Sequence, residues 1–289
     1  MTILAIDAGT TGVTALLVSH EAKVVARGYT EFPQHFPADG WVEHDPNEIW
    51  AATLSSLDQV LKSPAINEHG APTAVGITDQ RETIVLWDRE TLGSARMAIV
   101  WQDRRTAGFC DQLKADGHEA RVAELTGLRL DPYFSATKLS WIAKQEPHVW
   151  AGVKEGRTAI GTIDSYLIAR MTRGVTHVTD ASNASRTMLF DIHSGEWSQE
   201  LCDLFGVPID ALPEVVPSYG QVGMTDPSVF GGLEIPIAGI AGDQQAALFG
   251  QACFEVGSSK CTYGTGSFVL VNTGDKIVRS DAGLLSTVA

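Results

Sequence analysis

The stretch Ile3–Ser19, ILAIDAGTTGVTALLVS, carries the reading of the fold. An apolar run from Ile3 ends in an acid at Asp7. The turn Asp7-Ala8-Gly9-Thr10-Thr11-Gly12 then reverses the chain, and Val13 to Ser19 runs back. Gly and Thr between two β-like runs are the chemistry of a hairpin tip. Lys23 to Phe32 adds a third strand. A helix follows, with Asp45 as N-cap, Pro46 at the first position and Glu48 in the first turn. Its apolar residues Ile49, Trp50, Leu54, Leu57, Val60 and Leu61 recur at helical spacing, and Pro64 lies past its end. Three strands in succession before a helix differ from the strict alternation of a dinucleotide-binding fold.

Further along, strands are predicted at Thr73 to Thr78 and Thr83 to Trp87. Helices are predicted at Asp103 to Lys114, Glu119 to Thr126 and Ala136 to Lys144. Thr158 to Ile163 reads as a buried strand, followed by a helix through Ile168, and the middle of the chain reads as loop-rich. Glu234 to Ile240 is another buried strand. It leads into IAGDQQAALFG, where Asp243 stands at the N-terminus of a helix that Ala246, Ala247, Leu248 and Phe249 can bury.

Composition narrows the function classes. With 44% hydrophobic and 19% charged residues in 289, the chain can bury a sizeable core as one large domain or two ordinary ones. A net charge of -14 argues against a nucleic-acid or anionic-membrane surface, both of which want Lys and Arg. An anionic small molecule remains compatible, because a few backbone amides can bind one phosphate. Cys110, Cys202, Cys253 and Cys261 form no CxxC pair and no Cys/His metal spacing. They read as reduced thiols of a cytoplasmic protein. MTILAID enters a strand pattern directly, with no signal peptide, and no apolar run is long enough for membrane insertion.

The residues suggest chemistry in several places, each with a plain alternative. The Asp7–Gly12 turn offers amides and hydroxyls to a phosphate, with an acid that could hold Mg²⁺ through water, yet it serves equally as an ordinary hairpin turn. No GxxxxGK[ST] motif is present. A second Gly/Thr turn, Thr262-Tyr263-Gly264-Thr265-Gly266-Ser267, lies near the other end. Arg81-Glu82 could grip neighbouring hydroxyls or be a solvated surface pair. Trp101 and Tyr133 could cover a carbon skeleton or simply pack. Asp243, held at the mouth of a cleft, suits a general base.

Longer blocks go further than these single residues. GWVEHDPNEIW (Gly40 to Trp50), GITDQRETIVLW (Gly76 to Trp87), AIVWQDRRTA (Ala98 to Ala107), GLRLDPYFSATKLSWI (Gly127 to Ile142), HVTDASNASRTMLFDIHSGEW (His177 to Trp197), IPIAGIAGDQQAALFGQ and TYGTGSF occur in that order. The chain resembles the FGGY family of sugar and polyol kinases across essentially its whole length, and Tyr133 to Ile142 fits the first family signature. The resemblance implies an α/β, actin-like ATPase (ribonuclease H-like) domain, a mixed sheet flanked by helices. It implies ATP-dependent phosphorylation of glycerol to sn-glycerol 3-phosphate at a cleft between domains. On that reading Arg81, Glu82, Tyr133, Asp243 and Gln244 hydrogen-bond the hydroxyls, and Trp101 and Phe268 sandwich the carbons. Asp243 is the catalytic base, Thr10, Thr11, Gly12 and Thr265 contact the ATP phosphates, and Asp7 lies near Mg²⁺. A kinase for another polyol or ketose, or a non-catalytic glycerol-binding half-kinase, are the alternatives, and self-association stays open.

Departures from the family pattern carry expectations too. Ala8 and Thr14 stand where polyol-kinase relatives usually have Gln and Arg, which weakens the expected grip on nucleotide phosphates. Asp79 and Asp103 replace neutral residues and are expected to add negative charge beside the glycerol pocket. Residues 1–250 are expected to form the N-terminal FGGY domain and 251–289 the truncated beginning of the second. That tail is too short for a core of its own, so it should lean on the first domain or order poorly. The fragment is expected to bind glycerol weakly and to turn over slowly or not at all.

Overall fold

The computed structural model describes residues 1–280 and 282–289. The opening hairpin forms as its sequence requires: β1 (Thr2–Ala8) pairs antiparallel with β2 (Gly12–Ser19), which pairs with β3 (Val24–Glu31). After the short β4 (Glu43–His44), α1 (Pro46–Leu61) starts where the cap residues place it, with the Asp45 carboxylate accepting from Asn47 N. A short α2 (Ala65–His69) leads into β5 (Val75–Asp79). β5 runs parallel to β1, with Ala8 opposite Asp79.

β6 (Val85–Asp88) and β7 (Ala98–Ile99) precede the helices α3 (Ala107–Ala115), α4 (Glu119–Thr126), α5 (Ser135–Gln145) and α6 (Pro147–Lys154). β8 (Thr158–Gly161) and α7 (Ile163–Met171) follow. The segment from β6 onward divides the interior by its pleat. Val85 and Trp87 face the core between the main sheet, α1 and α7, whereas Ile84 and Leu86 face a second core built by α3 to α6.

The expected loop-rich middle is a chain of short elements. They are β9 (Val178–Asp180), α8 (Ala181–Ala184), β10 (Phe190–Asp191), β11 (Glu196–Trp197), α9 (Gln199–Phe205), β12 (Glu214–Val216) and β13 (Tyr219–Met224). Most are too brief to show a period and β13 does not alternate, but Asp180 and Ser198 cap α8 and α9 through their side chains. β14 (Pro236–Gly242) then inserts beside β5, parallel to it, with Gly242 opposite Asp79. The main sheet is thus mixed, in the order β13-β14-β5-β1-β2-β3. It is flanked by helices, the α/β architecture that the resemblance implied.

α10 (Asp243–Gly250) follows β14 without a loop. It does not bury the face its sequence suggested: Gln244, Gln245 and Leu248 are inside, while Phe249 is 73% exposed and packs on Phe254. The helix stands at the sheet's end rather than over the core, so polar side chains face the protein. The helix expected from Asp103 begins at Ala107 instead, because the Asp103 carboxylate accepts from Val42 N at 2.7 Å and is gripped by Arg105. Beyond α10, β15 (Ser259–Tyr263) and β16 (Ser267–Val271) form a separate two-stranded ribbon. The last residues lie against the main body: Ser286 N donates to Gly127 O at 2.9 Å, and Gln245 Nε2 to Val288 O at 3.0 Å. Among the described residues no helix is long and apolar enough to cross a membrane.

Candidate active site

The parallel strands β1, β5 and β14 end in register at Ala8, Asp79 and Gly242. Whatever follows each strand therefore emerges at one edge of the sheet, the edge at which open α/β sheets place ligands. Gly9 and Thr10 follow β1, Gln80-Arg81-Glu82 follow β5, and Asp243 follows β14. They share a cleft of about 310 Å³ with Trp101, Tyr133 and Gln244, and with Thr262, Gly264, Thr265, Gly266 and Phe268 of the late ribbon. Such a volume falls at the small end of ligand pockets, roughly 300–1,000 Å³.

The turn after β5 is bent into an uncommon shape. Thr83 N donates back to Arg81 O at 2.8 Å, and Glu82 takes φ 63, a left-handed conformation that costs a bulky residue about 1–3 kcal/mol. Ser135 Oγ holds the Glu82 carbonyl at 3.0 Å, and Arg186 Nε donates to its carboxylate at 2.7 Å. Arg81 and Glu82 are buried, at 4% and 1% exposure, which excludes a solvated surface pair. The Arg81 stem passes over Gly242, where a Cβ would stand 2.5 Å from Arg81 Cδ. Its Nε lies 3.0 Å from Asp243 Oδ1, while its Nη1 donates to Gln245 Oε1 at 3.1 Å. The Nε–H is buried and makes no hydrogen bond, because Asp243 Oδ1 lies close by but off its axis.

Asp243 is the first residue of α10, where the helix dipole favours its charge. Gln244 N donates to its Oδ1 at 2.7 Å and Gln244 Nε2 to its Oδ2 at 3.2 Å, and 36% of the side chain stays open to the cleft. Burial nonetheless raises its pKa; Arg81 opposes that shift and Glu82 adds to it. Across the cleft, Asp7 opens toward solvent from the end of β1. The surrounding protein, and then Asp243, push its carboxyl up to about 6.

Aromatic rings close the other side. Trp101 meets Tyr133 at 5.6 Å and Phe268 at 6.2 Å between centroids, with its Nε1 donating to Thr10 Oγ1 at 3.0 Å. The planes of Trp101 and Phe268 stand at 66°, so they form an apolar corner rather than a parallel sandwich. Burial, and then the negative Glu82, raise the Tyr133 phenol above its ordinary pKa, keeping it a neutral donor.

The structure thus gathers Asp7, Thr10, Arg81, Glu82, Trp101, Tyr133, Asp243, Gln244, Thr265 and Phe268 around one cleft. Thr11 and Gly12 stand outside it. Gly9 N bonds Gly12 O at 3.0 Å to close the turn, Thr11 sits exposed at its tip, and Gly12 already pairs with Glu31 in the sheet. The expectation that Asp79 and Asp103 charge the pocket is corrected. Asp103 forms a buried ion pair with Arg105 at 2.8 Å, away from the cleft lining. Asp79 is fully buried beneath the cleft, accepting from Asn183 Nδ2 at 3.1 Å; burial and then Asp164 raise its pKa well above normal. Sequence reading missed Gln80, whose amide donates to Gly9 O at 2.9 Å, and Arg186 behind Glu82. It also missed Lys260, which donates to Gln244 Oε1 and to Thr262 Oγ1. Lone polar residues without a spacing pattern give no such signal.

Comparison with known proteins places this geometry. Residues 2–250 match the N-terminal domain of the FGGY family of carbohydrate kinases. The chain is 54% identical over 287 residues to a glycerol kinase of Methylobacterium nodulans, covering 99% of this chain and 57% of that one. It is 51% identical to a glycerol kinase of Halorhodospira halophila, covering 99% and 56%. A crystal structure of Plasmodium falciparum glycerol kinase with ADP superposes with TM-score 0.94 at 35% identity, over 99% of this chain and 57% of that one. A xylulose kinase from Rhodospirillum rubrum shares the fold, with TM-score 0.84 at 24% identity over 94% and 55%. The chain spans little more than half the length of the curated relatives it matches. A family match over most of the chain, with a fold shared along its whole length, identifies it as a member of the FGGY family of carbohydrate kinases.

Proposed function

We propose that this chain carries the acceptor site and catalytic base of an ATP-dependent glycerol kinase, which transfers the γ-phosphoryl group to form sn-glycerol 3-phosphate in the cytoplasm. The observation that carries the reading is the convergence of Arg81, Glu82, Asp243 and the Trp101–Phe268 corner on one small cleft. Arg81 and the Tyr133 hydroxyl donate to glycerol oxygens, Glu82 accepts, and the ring corner covers the carbons. Asp243 takes the proton of the attacking hydroxyl as its oxygen bonds to the γ-phosphorus and the bond to the ADP oxygen breaks. A base with a raised pKa suits that step. Most of the acceleration comes from positioning and charge neutralisation.

Nucleotide phosphates fit between the two Gly/Thr turns, where Gly9 and Thr10 face Gly264, Thr265 and Gly266 across the cleft. Asp7 is the carboxylate best placed to hold Mg²⁺, which usually takes one or two carboxylates and otherwise phosphate and water oxygens, and which would neutralise phosphate charge when bound. Among the described residues no cluster of three or more His, Cys, Asp or Glu could cage a metal alone, in keeping with that mode. Residues 251–289 are read as the opening of a second domain. Its ribbon exposes Tyr263, Val269 and Val271, apolar side chains that call for a cover.

The test is ligand-observed NMR on this chain with glycerol, erythritol, dihydroxyacetone and xylulose. Glycerol should bind best, and Asp243→Asn should keep that binding. In a protein that also turns over, the same substitution should lower kcat by about a thousandfold or more with KM little changed. A clear preference for the pentulose would defeat the glycerol assignment, and an unaffected kcat would defeat the role of Asp243.

A further inference from the structure

Lys138 lies wholly inside the protein, in the first turns of α5, and the chemistry described for the cleft leaves it without a task. Its stem runs back toward the helix N-terminus, as helical side chains do. There its Nζ donates to the carbonyl oxygens of Pro132, Tyr133 and Phe134 at 2.9, 2.6 and 2.9 Å. An ammonium carries three donors and no acceptor. Three consecutive carbonyls converging on one nitrogen therefore specify the charged form, because a neutral amine would turn its lone pair on one of them. The position is otherwise poor for a cation, since the N-terminal end of a helix dipole repels positive charge.

The same three residues form the loop that brings Tyr133 to the cleft. Tyr133 N is fixed to Asp131 Oδ1 at 2.9 Å. Its ring stands edge-on to Trp101 at 5.6 Å and to Phe134 at 5.0 Å, with the Arg186 guanidinium 5.7 Å from its centroid. We propose that Lys138 is a positioning residue for acceptor binding: its ammonium gathers three successive carbonyls and so aims Tyr133 into the cleft, and loss of its proton releases that loop. The consequence for affinity rests on the polyol reading of the cleft; the consequence for Tyr133 does not.

The groups facing Lys138 define the sign of the effect. Glu82 after β5, Asp103 before α3, Cys110 on α3 and Asp131 before α5 all favour the ammonium, while burial is the larger influence and pulls its pKa down to about 7. The three carbonyl bonds hold the proton against that pull. Lys138 is therefore charged, and Tyr133 held, at low pH. The clamp opens as pH rises through the lysine's own pKa.

The experiment is a titration of the protein carrying ring-¹³C tyrosine, from about pH 5 to 10.5, with the Tyr133 signal assigned by its loss in Tyr133→Phe. The Tyr133 signal should move in one step, and glycerol affinity should fall about fivefold across the same step. Lys138→Met should abolish the step and leave Tyr133 at its high-pH position, with Lys138→Gln between the two. In a Tyr133→Phe background Lys138→Met should weaken glycerol binding little further, because both changes remove the same contact. A wild-type Tyr133 signal that stays put over the whole range, or a step that survives in Lys138→Met, overturns the proposal. If Lys138→Met does not fold, the wild-type titration alone decides. A Tyr133 step without any glycerol binding would leave the clamp standing and defeat the glycerol reading.

Discussion

Two hairpins of similar sequence face each other across the cleft, and the protein treats them differently. AGTTG at the tip of β1–β2 is anchored in a six-stranded sheet, with Leu4, Ile6, Val13, Ala15 and Leu17 buried on its strands. YGTGS at the tip of β15–β16 rides on a lone two-stranded ribbon whose Tyr263 and Val269 are 83% and 68% exposed. Both have the glycines and hydroxyls to meet a phosphate. The first is a rigid wall because its strands have neighbours on both sides. The second takes its place from α10 and from the Lys260–Gln244 contact. Local chemistry writes the turn, and tertiary support decides how firmly it is held.

The sharpest way to break that comparison is to add one methyl group behind the first hairpin and one at the tip of the second. At Gly28 on β3 a Cβ would lie 2.1 Å from Ser56 O on α1, whereas at Gly264 nothing stands within 4 Å. Gly28→Ala should cost about 3 kcal/mol in urea unfolding, since backbone must move. Gly264→Ala should stay within about 0.5 kcal/mol. Equal costs would mean that the ribbon is as deeply integrated as the sheet.

A smaller effect separates function from stability. Phe268→Ala removes one ring of the apolar corner from the exposed ribbon. Glycerol binding should weaken about tenfold, or about 1.4 kcal/mol, while the unfolding midpoint scarcely moves. A large loss of global stability would show that the ribbon belongs to the main cooperative unit.

The smallest effect concerns the acids beneath the sheet edge. Asp79 has its pKa raised by burial, and Asp164, beside it, is pushed up to about 6 for the same reason. An acid whose folded pKa lies above its unfolded value stabilises the fold when protonated; that contribution is complete below pH 3.8 and is lost as pH rises through the folded pKa. Asp79→Asn should therefore raise Tm by a few degrees at pH 8, and the gain over wild type should shrink on acidification. Taking the difference between the two proteins removes His44 and His177, which burial holds neutral down to about 4 and which act with the opposite sign. Hydrogen exchange in the late ribbon should not respond. A gain that grows on acidification would refute the assignment.

Much of this was legible in order of residues. The Asp45-Pro46 cap, the opening hairpin and the strand into Asp243 lie where patterning put them, because each has a period long enough, or a cap specific enough, to read. Elements between Val178 and Met224 were not legible, since strands of two or three residues carry no period and the six residues of β13 do not alternate between buried and exposed. Phe249 misled because an apolar residue at the mouth of a cleft looks, in sequence, like one over a core. Asp103 misled because its partner Arg105, although two residues away, closes on it only when the chain turns there.

From Met1 to Ala289, residue order alone established the kinds of chemistry on hand: two hydroxyl-rich turns, an Arg-Glu pair, several aromatic side chains and an acid at the head of a helix. Folding decided which of them meet. Strands β1, β5 and β14 stop in register at Ala8, Asp79 and Gly242, and this alignment of hydrogen-bonded strand ends, formed between segments far apart in the chain, brings Thr10, Arg81 and Asp243 to one edge. No local propensity encodes that register; it follows from burying both faces of the sheet at once.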